Sequence, residues 1–467
     1  MAGGVRGRLP RMDGLEACVE KMEREGIAGA AVETFKHYYE QLRAGETGML
    51  PESGIEPVED VQALEDLPQG DAPLDRAVVL KLNGGLGTSM GMTRAKSLIE
   101  AKDGLSFLDV IARQVLELRE RTGARLPLVL MDSFYTREDS LEALRAHREL
   151  EADVPPDFVQ NKEPKVLVDG LGPAEWPADP TLEWCPPGHG DVYTALLTSG
   201  MLEALLGAGY RWAFMSNSDN LGAVLDPRIL AWIAREEIPF AMEVTGRTEA
   251  DRKGGHIARR PDGGYLLRET AQTPEADRGA LQDISRHRYV NTNNLWLDLE
   301  VLRRVLDERH GVLGLPLIVN RKTLDPADAR TPAVFQLETA MGAAVGVFDG
   351  ARPVRVPRRR FSPVKTTEDL LALRSDAYVL APDARVELAA ERDGMPPVVD
   401  LDDDHFKRLV DFDARFPAGA PSLVACERIA VEGDVRFGRG VVARGRVRLV
   451  QDGGGPLRVP DGAVLEG

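Results

Sequence analysis

Ala77-Val78-Val79-Leu80-Lys81-Leu82-Asn83-Gly84-Gly85-Leu86-Gly87-Thr88-Ser89-Met90-Gly91 is the stretch on which the fold turns. An apolar, β-branched run stops at Leu82, and a loop with glycines at 84, 85, 87 and 91 follows. This order predicts a buried strand running into a loop. Glycine has no Cβ, so backbone N–H groups there can approach a ligand closely. A row of such groups makes a concave site for anions, phosphate above all. The loop does not end in Gly-Lys-Ser/Thr, and Gly85, Gly87 and Gly91 are spaced one residue too widely for the dinucleotide fingerprint. The next lysine followed by a hydroxyl is Lys96-Ser97.

Downstream, strand and helix patterns alternate. Phe107, Leu108, Ile111, Val115 and Leu118 have helical spacing, and Leu126 to Met131 reads as a strand. Thr136 with Asp139 predicts a capping box opening a helix. Trp212 to Met215 and Phe240 to Val244 read as strands with a helix at Ile229 to Ile233 between them, and Leu337 to Gly342 reads as the start of a supporting helix. Such alternation implies a mainly parallel sheet covered on both faces, with ligands beyond the carboxyl ends of its strands.

Upstream, residues 11–45 carry two helical stripes interrupted at Gly26 and Gly29, and residues 45–73 read as a linker. Met1 to Pro10 is basic and glycine-rich without the apolar core of a secretory signal. From about residue 383, short alternating strands with recurrent glycines predict a small β-solenoid.

A net charge of −17 argues against a nucleic-acid partner, and no apolar run approaches the ~20 residues of a membrane span. Cys18, Cys185 and Cys426 are scattered and odd in number, which fits a reducing cytoplasm rather than a disulfide framework or a metal site. Cys185 lies four residues before His189, so its oxidation would disturb that segment unless the thiol is buried.

The polar clusters fall where strands end. In Phe158-Val159-Gln160-Asn161-Lys162, the Gln160 amide is either a surface group or a donor–acceptor pair for a base edge. In Cys185-Pro186-Pro187-Gly188-His189-Gly190-Asp191, His189 is either a turn residue or a phosphate donor at a helix start. In Ser216-Asn217-Ser218-Asp219-Asn220, Asp219 either caps a turn or holds Mg²⁺ beside phosphates. Lys253-Gly254-Gly255 is a turn that admits a ligand, Glu269 can accept from sugar hydroxyls, and Asn291 to Asn294 presents amides just before a strand. Arg358-Arg359-Arg360 reads either as a solvated face or as a phosphate approach, and Lys365 precedes Thr366-Thr367 at the next helix.

Taken in order, Lys81 to Gly91 with Lys96-Ser97 behind it, the Gln160 segment, Pro186 to Asp191, Asn217 to Asp219, and Val364-Lys365-Thr366-Thr367 resemble the UTP–glucose-1-phosphate uridylyltransferase family, eukaryotic type. The resemblance is strong over residues 75–375 and weaker in the tail. It implies an α/β fold with a Rossmann-like, GT-A-like nucleotidyltransferase domain over 73–382, built on a mixed, mostly parallel sheet. An N-terminal helical segment and linker (1–72) precede it, and a left-handed β-helix (383–467) follows. It implies transfer of uridylyl from UTP to glucose 1-phosphate with Mg²⁺ as cofactor. Leu82, Asn83, Gly84, Gly85, Gln160 and Gly188 then hold the nucleotide. Lys96 and Lys365 act on the phosphates, with Asp219 as metal ligand. His189, Asn217, Ser218, Gly255, Glu269, Asn291 and Asn293 hold the sugar phosphate. The alternatives are a sister enzyme acting on another sugar 1-phosphate and a nucleotide-sensing protein without turnover. Partners are small molecules, not nucleic acid or membrane, with self-association through the β-helix.

Overall fold

The computed structural model describes residues 13–467, apart from the side chain of Ser89; the reading of Met1 to Pro10 lies outside the described residues. Ala77–Leu82 is the central strand of a ten-stranded mixed sheet. Both faces of this strand are buried, which is why its sequence is apolar without a break. Ala77 and Val79 pack into one apolar cluster, and Val78 and Leu80 into the cluster on the other side.

Trp212–Asn217 and Leu128–Asp132 flank the central strand in parallel, and Asp157–Val159 extends the parallel run. Leu82, Asn217, Asp132 and Val159 therefore end along one edge. On the other side of Trp212–Asn217 lies Tyr289–Asp298, antiparallel, followed by the hairpin His256–Arg259 and Tyr265–Arg268. Phe240–Gly246 also pairs Tyr289–Asp298 and carries Arg352–Arg355 beside it in parallel. Helix Phe107–Thr122 covers one face; it starts at a Ser106–Asp109 capping box and stops at Gly123, φ 72°.

Several readings change. Thr136 precedes helix Arg137–Leu144 but forms no cap: its hydroxyl accepts from Ser133 N–H and donates to Asp132, so the turn before the helix consumes it. Leu337 lies in a strand, Ala333–Thr339, paired antiparallel with Leu317–Thr323; only Met341–Gly346 is helical, as a 3₁₀ segment. Burial alternates from Ala333 to Gln336, as a strand requires, and the ladder with Leu317–Thr323 fixes the rest as strand. Asn291 to Asn294 lie inside strand Tyr289–Asp298 rather than before it.

Helices Gly14–Arg24 and Gly29–Arg43 pack Cys18, Met22, Phe35 and Tyr39 against Val166, Leu317 and Leu337 of a smaller three-stranded sheet. The stretch read as a linker is pinned to the main sheet. Glu56–Pro57 pairs with the His256 strand, Leu64 and Leu67 are buried, and Glu52 receives Arg268, Arg286 and His287.

Beyond residue 383, Val398–Leu401, Cys426–Glu432, Val442–Val450 and Val464–Glu466 form a parallel sheet. Val435–Phe437 pairs in parallel with Leu457–Val459. Their apolar residues, Ile429, Val435 and Phe437 among them, join the cluster that contains Val79 and Phe214 of the main sheet. Among the described residues, no helix is long and apolar enough to cross a membrane, and all three cysteines are unpaired and buried.

Candidate active site

The cleft lies beyond the carboxyl edge of the parallel strands. From Leu82 the chain enters the glycine loop, whose ends are fixed differently. Asn83 is buried and turned inward: its N–H donates to Met131 O, and its amide donates to Asp132 at 2.7 Å and Ser140 at 2.8 Å. The side chain thus anchors the loop to the neighbouring strand and leaves the ligand side to backbone. The Gln160 amide lies directly over Gly84; a Cβ built there would stand 3.1 Å from Oε1. Gln160 is held in place by its own N–H to Asp132 O. Gly85 faces open space, and its carbonyl accepts from Lys96 N–H, folding the chain back so that Lys96 returns to the loop.

Lys96 Nζ and Asp219 Oδ2 are 2.8 Å apart, both largely shielded from solvent. The other carboxylate oxygen, Asp219 Oδ1, is buried without a hydrogen-bond partner. A buried, unpaired carboxylate oxygen at a strand end matches what a hard cation needs, and Mg²⁺ beside phosphates is usually held by one or two carboxylates and the phosphates themselves. Among the described residues no cluster of three acidic, His or Cys side chains offers a complete protein cage. Asn217 and Ser218 precede Asp219: Ser218 is buried with its N–H on Leu82 O, and Asn217 is half-buried at the strand end.

Lys365 is exposed, and its positive charge bears on both His189 and Glu269. The segment that carries it is tied to Asp219 by Val364 N–H donating to Asp219 O. His189 is open to the cleft yet ringed by protein. That desolvation, with the Lys365 charge second, lowers its pKa to about 4. Met341 N–H donates to His189 Nδ1 at 3.0 Å, so Nδ1 is the acceptor and Nε2 carries the proton. The ring is therefore a neutral donor pointed by the backbone. Gly188 stands at φ 79° against Thr339, where a side chain would collide with the Thr339 carbonyl.

The Glu269 carboxylate lies against Gly255, whose missing side chain makes room for it, and burial raises its pKa. Asn291 and Asn293 exchange hydrogen bonds at 2.7 and 2.9 Å. Asn293 sits at φ 57° where the register slips opposite Met242 and Val244, so a bulge pushes it out of the ladder. Strained backbone of this kind gathers at functional sites.

A sequence model of the UTP–glucose-1-phosphate uridylyltransferase family matches residues 32–444. The chain belongs to that family. A uridylyltransferase of Hordeum vulgare is 40% identical over 403 residues, covering 86% of this chain and 83% of that one. A UDP-glucose pyrophosphorylase variant of Leishmania major, solved in complex with UDP-glucose, superimposes with a TM-score of 0.92 at 46% identity, covering 97% and 98% of the two chains. A UDP-glucose phosphorylase of Trypanosoma brucei gives 0.90 at 45% identity over 97% and 98%.

This uridylyltransferase fold also holds polar residues that sequence reasoning passed over. Beneath the cleft, Glu243 accepts two bonds from Arg360, at 2.8 and 2.6 Å, and others from Asn294 and Trp296. Arg360 is therefore neither a solvated face nor a phosphate approach, and Arg358 pairs with Asp251. Lys81 is wholly buried on Ser216 Oγ and Ala223 O; burial, with Arg360 adding to it, lowers its pKa to about 7. An arginine triplet and a lysine in an apolar strand were the signals available, and neither reveals its partner. Cys185 is buried and its thiol is pushed well up by that burial, so the uridylyltransferase site is not exposed to oxidation through it.

Proposed function

We propose that the cleft joins UTP and glucose 1-phosphate to give UDP-glucose and pyrophosphate. The observation that carries this is the Lys96–Asp219 pair at 2.8 Å, with the second Asp219 oxygen unpartnered, at the mouth of a glycine loop. A phosphate oxygen of glucose 1-phosphate attacks the α-phosphorus of UTP in line. The new O–P bond forms as the bond to the bridging oxygen breaks, and pyrophosphate leaves with the electron pair. The nucleophile is already ionised, so no protein base is required, and catalysis is positioning with charge stabilisation.

Gln160 over Gly84, with the Gly188 backbone, reads uracil, and Leu82 to Gly85 hold the nucleotide by main chain. Lys96 and Lys365 offset charge on the α-phosphate and the leaving pyrophosphate. His189 donates from Nε2 to the incoming sugar phosphate, beside Asn217 and Ser218. Gly255, Glu269, Asn291 and Asn293 receive the glucose hydroxyls. Asp219 holds Mg²⁺, which supplies further charge neutralisation when bound.

The same reading divides the chain near residues 73 and 383. Its last part is a left-handed β-helix, a view supported by Val442 pairing with Val464 and Val435 with Leu457 at the same interval. Self-association through that part is supported by the exposed Val464 on its final strand. The unpaired cysteines support a cytoplasmic setting.

The test is pyrophosphate release from each of the four nucleoside triphosphates with glucose 1-phosphate, with and without Mg²⁺. Release with UTP and Mg²⁺ is expected; none from any triphosphate overturns the reading. Lys365→Ala is expected to lower turnover by roughly two orders of magnitude while UTP still binds.

A further inference from the structure

We propose that Lys81 is a positioning residue: its amine clamps both ends of the loop that carries Asp219, and so sets where the metal–triphosphate unit sits. The inference rests on the functional reading above and deepens it. Lys81 belongs to the central strand Ala77–Leu82 and is 1% exposed. It follows Ala77 and Val79 on a face packed into an apolar cluster, with Nζ 5.8 Å from the centre of the Phe214 ring. An amine in such surroundings costs free energy unless its donors are used.

Both partners of that amine belong to one loop. Lys81 Nζ donates to Ser216 Oγ and to Ala223 O, each at 2.8 Å. Ser216 lies directly across from Lys81 in the parallel ladder, near the end of strand Trp212–Asn217. Ala223 follows Asn217-Ser218-Asp219-Asn220-Leu221-Gly222, on the far side of the turn. One nitrogen therefore holds the place where the loop leaves the strand and the place where it ends, with Asp219 between them. Among the described residues, no other group donates to Ala223 O. Two N–H donors serve two acceptors, so the clamp holds for the neutral amine as well as for the ammonium.

The same strand grips the loop once more, because Ser218 N–H donates to Leu82 O, the residue after Lys81. Leu82 also opens the glycine loop, from which Lys96 returns to Asp219 Oδ2 at 2.8 Å. The carboxylate and the glycine loop are thus referred to one rigid strand. Asn220 and Val364 fasten the Lys365 segment over the loop; Lys81 fixes the loop itself to the sheet. A shift of about 1 Å at Asp219 is enough to spoil the geometry of a metal between carboxylate and phosphates.

Calorimetric titration of UTP with and without Mg²⁺, joined to steady-state kinetics, tests this on wild type, Lys81→Met and Ser216→Ala. Lys81→Met removes both donors at nearly the same shape, and Ser216→Ala removes one arm while Ala223 O stays paired. Mg²⁺ is expected to tighten UTP binding in the wild type, and in Lys81→Met that tightening should shrink about tenfold or more. UTP affinity without Mg²⁺ and KM for glucose 1-phosphate should stay within about threefold, while kcat falls roughly 10²-fold. Ser216→Ala should move the same quantities in the same direction by less. A role in stability alone lowers the thermal midpoint and leaves the effect of Mg²⁺ on UTP binding intact. That outcome overturns the proposal, as does an equal loss of UTP affinity with and without Mg²⁺, or no tightening by Mg²⁺ in the wild type. If Lys81→Met does not fold, Ser216→Ala decides, and an unchanged effect of Mg²⁺ there overturns the proposal. If the wild type releases no pyrophosphate from UTP and glucose 1-phosphate, it is the functional reading that fails, and the calorimetric comparison still judges Lys81.

Discussion

Asp219 places one oxygen on Lys96 and keeps the other buried without a partner, which is the proposed seat of the cation. Asp219→Asn keeps the shape and removes the charge. It is expected to cut turnover roughly 10²- to 10³-fold with little change in the unfolding midpoint, checked by pyrophosphate release and thermal melting. His189 makes a second statement at this scale. Its pKa is lowered to about 4, because the protein packed around the ring and then the Lys365 charge disfavour the charged form. The ratio of kcat/KM between wild type and His189→Gln should therefore be constant from about pH 5.5 to about pH 8. A ratio that climbs below about 6.5 means that the imidazolium is the working form. Lys96, Asp219 and His189 were singled out in the sequence because the strings that hold them resemble those of the family; taken alone, His189 and Asp219 read equally as turn residues. Glu243 and Lys81 were not, since a charge in an apolar run says nothing of the partner that keeps it there.

At the scale of elements, the cleft depends on how the Arg360–Lys365 segment is fastened to the Trp212–Asn217 strand. Asn220 does most of this. Its amide donates to Asn294 Oδ1 and Arg360 O and accepts from Ser362 N–H at 3.0 Å, and Val364 N–H closes on Asp219 O. Asn220→Ala leaves Asn294 Oδ1 and Ser362 N–H unpaired, while Arg360 O keeps its bond from Asn294, at a cost of about 3 kcal/mol of stability. Because it also frees Lys365, turnover is expected to fall more than about tenfold while UTP affinity, by calorimetry, changes less than about threefold. Equal losses in turnover and affinity contradict that positioning role. The parallel strands themselves were readable from periodicity, since their apolar runs are short and bounded by loops. Ala333–Thr339 was not, because a half-buried strand beside Met341-Gly342 shares its apolar residues with the start of a helical turn.

For the whole molecule, the same apolar cluster runs from the main sheet into the C-terminal strands, so the tail stiffens the scaffold beneath the cleft. Another buried joint sets a pH dependence. Asp191 lies beneath the His189 turn and accepts from Asn161, and burial raises its pKa to about 7. The folded state then holds a proton that the unfolded chain has released between about pH 4 and about pH 7, so stability falls as pH rises through that window. The stability of wild type minus that of Asp191→Asn, from urea unfolding, should shrink across those values and level off above them; a constant difference sinks the assignment. Composition and spacing could place this acid in a motif but not under a roof, which depends on chain segments distant in sequence. The Lys96–Asp219 contact has one more effect. Each group already serves as the other's counter-ion, so a lone divalent ion at the free Asp219 oxygen meets the repulsion of the ammonium beside it, and a lone triphosphate at Lys96 meets that of the carboxylate. A metal–nucleotide complex satisfies both at once. Titrating Mg²⁺ by itself should give little heat, and adding UTP should switch the heat on, making the pair a gate that opens only to both guests together.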